Sequence, residues 1–154
     1  MGDFIGTTIS GMTGRGSIRH NNRSFSAANI DRSRTEQNVT YCNDDLKQVY
    51  HEIFDEALAA YNAKKKKTRD KITDYYEHIR QGKQEKLFHE AIFQIGNLED
   101  CGCGSPGGER AAAALKEFAE SFQERNPHLR VFNMVLHMDE ATPHLHVDFI
   151  PVAT

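Results

Sequence analysis

Hydrophobic and polar positions recur with two different periods along this chain, and the changes of period mark out its elements. Leu46, Val49, Tyr50, Ile53, Phe54, Ala57, Leu58 and Tyr61 keep the three-to-four spacing of one helix face, with Asn43 placed to cap it. A second helix is expected from Thr68, with Ile72, Tyr75, Tyr76 and Ile79 on one side and Gly82 as its stop. A third starts at Ser105-Pro106, buries Leu115, Phe118, Ala119 and Phe122, and ends at Asn126-Pro127. A period of two takes over at 130–137 and 144–150. Phe132, Met134 and Leu136 should share one face of the first strand, and Leu145, Val147 and Phe149 one face of the second. Residues 86–95, KLFHEAIFQI, are apolar on both parities and read as a largely buried strand. Residues 3–9 look like a short strand, the Gly-rich GMTGRGS after it is flexible enough to wrap a ligand, and 20–38 are polar and irregular. Two clear strands joined by a short connection imply an antiparallel sheet. With helices packed on one face it makes a single α+β domain spanning 1–154.

The chemistry concentrates in HMDEATPHLH, from His137 to His146. On a strand, His144 and His146 project from one face, about 7 Å apart. The return through Asp139, Glu140 and Pro143 can bring His137 beside them. An isolated H-x-H is usually only a polar sheet face. Here a third imidazole and an acidic turn accompany it, which favours a divalent-metal site with open positions, suited to chemistry. If the apolar faces pack on helices, the histidines lie on the other side of the sheet. Asp148 shares their face and could join the metal shell, favour a harder cation or repel phosphate. Asp139 reads as a residue that closes the turn.

Composition narrows the class only a little. The chain has 154 residues, 27% of them charged, and a mean hydropathy of -0.64. No apolar run reaches membrane-spanning length and no signal pattern opens the sequence, so a cytoplasmic protein is expected. Three cysteines argue against a disulfide scaffold, and Cys101-Gly-Cys103 reads as a loop that carries thiols rather than a zinc clip. A net charge of -3 does not advertise nucleic-acid binding. Up to Thr40, however, every basic residue is an arginine: Arg15, Arg19, Arg23, Arg32 and Arg34, the type suited to forked phosphate contacts. Lys64 to Lys67 form a second basic cluster, read as a solvated helix junction or a duplex contact.

RHNNR from Arg19, NIDRSRTEQNVTY from Asn29 and HMDEATPHLHVDFIP from His137 together resemble the MobV-type relaxases of the Pre/Mob plasmid recombination and mobilisation family. These belong to the HUH endonucleases, named for a His-hydrophobic-His pair that His144-Leu145-His146 matches. The resemblance implies a relaxase fold and a metal-dependent nickase that cuts one DNA strand at an origin of transfer and stays covalently joined to it. Carried over by position, His137, His144 and His146 would hold Mn²⁺ or Mg²⁺, and His20 would be the nucleophile. Glu140 would orient or deprotonate His20, or else support a metal-bound histidine. Arg23 would steady the phosphate or the site. Arg15, Arg19, Asn21, Arg32 and Arg34 are the expected DNA contacts. Family members extend further, so the chain reads as an N-terminal catalytic fragment lacking C-terminal elements that would mediate a homodimer.

Tyr41 is a rival nucleophile. Two other function classes stay open: a non-catalytic module that binds origin or promoter DNA through the Arg-rich segment, and a small His-ligated metalloenzyme with no interest in DNA.

Overall fold

The computed structural model describes residues 9–24, 29–96 and 101–153. At its centre β4 (Leu129–His137) and β5 (His144–Pro151) pair antiparallel across the acidic turn, matching the expected strands to within a residue. β3 (His89–Ile95) joins the free side of β5, and β1 (Ile9–Thr13) joins β3. On the other side β2 (Val39–Asn43) pairs with β4, giving a five-stranded antiparallel sheet in the order β1-β3-β5-β4-β2. The one-turn helix α1 (Ile18–Asn21) precedes β2; α2 (Leu46–Ala63) and α3 (Tyr75–Gln81) lie between β2 and β3; α4 (Pro106–Arg125) leads into β4.

Two apolar clusters flank the sheet. On one face α4 buries Leu115, Ala119 and Phe122 against Val131, Met134, Leu136, Leu145 and Val147. Ser105 caps this helix by accepting from the Gly108 N–H, with Pro106 in the first turn, as its sequence implies. The expected α+β layering therefore stands, with one addition. Val49 and Tyr50 of α2 and Ile79 of α3 pack on Phe132 and Ile150, covering one end of the opposite face. Along β5 that face runs from His144 and His146 through Asp148 to Ile150. α2 and α3 cover only its apolar end, and over the imidazole end sits the single turn α1.

Four local expectations are corrected. A register shift between Val131 and Asn133 turns Phe132 away from Met134 and Leu136 and into the α2–α3 cluster. Asn43 ends β2 opposite Asn133, and the cap of α2 is Asp45, whose side chain accepts from Gln48 N. The helix expected from Thr68 is a short 3-10 turn there, and α3 starts at Tyr75 behind the Asp74 cap. The reason is tertiary: the Asn62 amide pairs with both the N–H and the carbonyl of Ile72, which takes that residue out of any helix. Finally, Gly11 to Thr13 of the Gly-rich run form β1, paired to β3. Gly14 then donates to the Glu90 carbonyl at 3.0 Å, where a Cβ would meet the Glu90 side chain. The strand expected at 3–9 lies outside the described residues except for Ile9.

Candidate active site

His137 ends β4 and His144 and His146 begin β5, in register, so the hairpin itself assembles the three imidazoles. The His137 and His146 ring centroids lie 4.3 Å apart, and those of His144 and His146 lie 6.4 Å apart. One nitrogen of His137, one of His146 and one carboxylate oxygen of Glu140 lie within 4.8 Å of one another, close enough to share a cation.

The oxygen neighbours fix which ring nitrogens are bare. A carbonyl can only accept, so His137 Nε2–H donates to the Asn21 carbonyl at 2.7 Å, and His144 Nδ1–H donates to the Thr142 carbonyl at 2.7 Å. His146 turns Nδ1 toward Glu90 Oε1 at 3.4 Å. Each ring then presents its other nitrogen as a lone pair, the arrangement metal-binding histidines need. The bare His137 Nδ1 faces Glu140 Oε2 at 3.2 Å. When the ring is neutral that is acceptor against acceptor, which a cation between them resolves. Burial, reinforced by His137, pushes the His146 pKa down to about 3.

α1 brings His20 to this cluster, its ring edge-on to His137 at 6.1 Å between centroids. Ser17 caps the turn by accepting from His20 N at 3.2 Å. Burial and the nearby Arg23 charge lower the His20 pKa below its ordinary value, outweighing the opposite pull of Glu140. Arg23 Nη1 lies 3.4 Å from His20 Nε2 and donates to the His20 carbonyl at 2.8 Å. An arginine N–H can only donate, so His20 Nε2 offers it a lone pair.

Arg23 is the hub of the acidic turn. It donates in a fork to both oxygens of Asp139, at 2.8 and 2.6 Å, and reaches Glu140 Oε2 at 3.0 Å. It does so from a left-handed backbone (φ 58°), which side chains seldom adopt. The NIDRSRTEQN segment closes over the same turn. Thr35 and Asn38 both donate to Asp139 Oδ2, Asn29 donates to Glu140 Oε1, and the Arg34 guanidinium holds the Glu140 and Cys103 carbonyls. Burial alone would raise the Asp139 pKa, but these donors hold it well below the carboxylate range. The hydrogen bond that the His137 ring gives Glu140 when Nδ1 carries a proton, ahead of Arg23, pulls Glu140 down to about 2 despite burial.

Several expected roles move. Asn21 is 1% exposed, so it has no surface to offer DNA. Arg34 is engaged with the turn, while Arg15, Arg19 and Arg32 stand exposed along the N-terminal segment. Tyr41 packs against the α4 cluster, across the sheet from the histidines, so the fold does not bring it to them. Asp139 is fully buried as the anchor of Arg23, beyond closing the turn. Asp148 lies behind the imidazoles, fully buried, accepting from Asn133 at 2.8 Å and from Asn21 at 3.2 Å. Burial and the adjacent Glu90 carboxyl raise its pKa far above the usual range. Glu90 was missed by the sequence reading. A single carboxylate inside the apolar run KLFHEAIFQI was the one signal that could have found it.

A sequence profile described as plasmid recombination enzyme (Mob/Pre) matches residues 15–154. Among solved structures, the MobM relaxase domain (MOBV) in a manganese-bound crystal with 22 nucleotides of plasmid pMV158 oriT DNA at pH 5.5 aligns with a TM-score of 0.50. That alignment is 20% identical and covers 96% of this chain and 71% of that one. The same domain with 23 nucleotides at pH 6.5 gives 0.50 at 18% identity, over 96% and 70% of the two chains. At these identities the likeness establishes a shared fold. No curated protein matches the chain. Among the described residues no helix is long and apolar enough to cross a membrane.

Proposed function

The chain belongs to the plasmid recombination enzyme (Mob/Pre) family, and on that premise we propose that it is a metal-dependent, site- and strand-specific DNA nickase and strand transferase acting at an origin of transfer in the cytoplasm. One observation carries the reading: the His20 imidazole stands beside an arginine and a convergent His–His–Glu cluster. The like-folded relaxase domain is described as manganese-bound on oriT DNA, which favours the same class of ligand here.

The donor set fits a divalent ion. His137, His146 and Glu140 converge on one point and would hold it, and His144, outside that group with its ring 6.4 Å from that of His146, would complete the set. When bound, such an ion polarises a phosphate oxygen as a Lewis acid. The chain's own residues do the rest. His20 Nε2 attacks phosphorus with its lone pair. A P–N bond forms, the P–O3′ bond breaks, and the departing 3′ oxygen takes up a proton. The 5′ phosphate stays on the protein, and the reverse step rejoins the strand without an outside energy source. Arg23, clamped by Asp139 and Glu140, offers Nη1 where an incoming phosphate oxygen meets His20. Glu140 acts on His20 through that arginine and through its own negative field. Exposed Arg15, Arg19 and Arg32 supply phosphate contacts along the approach.

The test is supercoiled plasmid carrying candidate origins, incubated with Mn²⁺ or with chelator and run on a denaturing gel. A nick and a covalent 5′ adduct are expected only with metal. A retarded complex without any nick would favour a DNA-binding module instead. His20→Ala should abolish the adduct while leaving Mn²⁺ affinity by calorimetry intact, and a normal adduct in that variant overturns the nucleophile assignment. Because the His20 pKa is lowered, its neutral form persists through pH 6.5, so adduct formation should hold there and fail only in more acid solution.

A further inference from the structure

We infer that Asn21 is a positioning residue: its buried side-chain amide, set between the carboxyls of Glu90 and Asp148, fixes α1 and so the place of His20 against His137. This deepens the nicking reading and rests on it for its functional consequence.

α1 is only four residues long, and Asn21 is its one fully buried member. Ile18 is only partly buried against the α2–α3 cluster, so apolar packing does little to set where this turn sits. The polar contacts of Asn21 do it instead. An amide carries two N–H bonds on one nitrogen, and Asn21 Nδ2 contacts both Glu90 Oε2 and Asp148 Oδ2. Those acceptors stand on β3 and β5, opposite each other in register, so the amide is anchored to the rigid middle of the sheet. Glu90 uses its other oxygen to face His146 Nδ1. From the same residue the backbone carbonyl accepts from His137 Nε2. One residue thus ties the turn that carries His20 to both imidazoles of the cation cluster. Asn133 closes the network from β4 by donating to Asp148.

The backbone origin of the His137 contact supplies a reporter. Replacing the Asn21 side chain leaves its carbonyl in place, so the His137 Nε2–H bond is lost only if α1 moves. The experiment compares wild type, Asn21→Leu and the double variant Asn21→Leu/Asp148→Asn, all as the full chain. In the double variant the new amide donates to Glu90, which relieves the stranded carboxyls without re-anchoring α1. Metal-free, ¹⁵N-histidine-labelled protein reports whether His137 Nε2–H remains slowly exchanging. Nicking of supercoiled plasmid carrying the candidate origin, with Mn²⁺, reports kcat and KM.

The expected result is loss of the protected His137 resonance in both variants, with kcat down by about 10- to 100-fold and KM little changed. The double variant should regain thermal stability over Asn21→Leu without regaining kcat. A protected resonance in folded Asn21→Leu overturns the anchoring, and recovery of kcat together with stability reduces Asn21 to a folding role. If wild type itself fails to nick, the nickase reading falls, while the resonance still decides where α1 sits.

Discussion

Asp139 and Glu140 at one end of the imidazole layer, and Glu90 and Asp148 at the other, are two carboxyl pairs in one largely buried stretch of polar residues. The first pair meets Arg23, and both of its members are held charged, below the ordinary carboxylate range. Around the second pair the donors are the amides of Asn21 and Asn133, with His146 nearby, a ring whose pKa is itself depressed. There Asp148 moves the other way, up to about 8. Burial is common to both ends. What differs is a fixed positive charge, which holds a desolvated carboxyl as an ion at one end and whose absence at the other lets Asp148 keep its proton. The charged end faces His20 and the His137–Glu140–His146 cluster, and the end where Asp148 holds its proton lies beneath them.

The largest break in this comparison comes from removing the arginine. Arg23→Ala strands Asp139 and Glu140 without their cation, and uncompensated buried charge of this kind costs about 3–5 kcal/mol. Chemical denaturation should show that loss, with nicking abolished. Arg23→Lys should recover only part of either, because an ammonium cannot reproduce the fork on Asp139.

A smaller effect, of opposite sign, is expected at the other end. A carboxyl whose pKa is raised on folding contributes stability at low pH and loses it as pH climbs toward the folded value. His146, depressed to about 3, contributes its full stability above pH 6.5 and loses it only on acidification. Between pH 6.5 and 8 the Asp148 contribution therefore stands apart. Wild type should melt progressively lower across that window than Asp148→Asn, whose amide mimics the protonated acid. Parallel melting curves would show that Asp148 does not hold its proton.

The smallest effect sharpens the charged end. Thr35→Val removes one of the donors to Asp139 while Arg23 and Asn38 remain, so a loss of about 1 kcal/mol is expected. A loss as large as that of Arg23→Ala would mean the ion depends on the whole cage rather than on its arginine.

The sequence disclosed what was local. β4 and β5 announce themselves by alternation, and H-x-H on a strand puts two rings on one face wherever the sheet lies. The acidic turn and the long helix before β4 were equally plain. What escaped depended on partners remote in sequence. KLFHEAIFQI is apolar on both parities, so nothing in it says that Glu90 points at the histidine face; pairing with β5 decides that. Phe132 changed sides because of a bulge, which hydrophobic alternation does not record. Asn21 lies in a motif of polar residues that reads as a DNA-contacting loop, yet β3, β4 and β5 supply three buried partners that draw its amide or carbonyl inward. Tyr41 looked adjacent to the site by motif, and the sheet separates the two.

The hydrogen bond between Asn21 and His137 spans 116 positions of chain. Residue 20 therefore leaves the ribosome long before the hairpin that its ring packs against exists. A chain not yet made past β4 carries the His20 ring without the Asp139 and Glu140 carboxylates that clamp Arg23 and without the imidazoles of β5. The arrangement of His20, Arg23 and the imidazoles arrives with the β4–β5 hairpin, all at once.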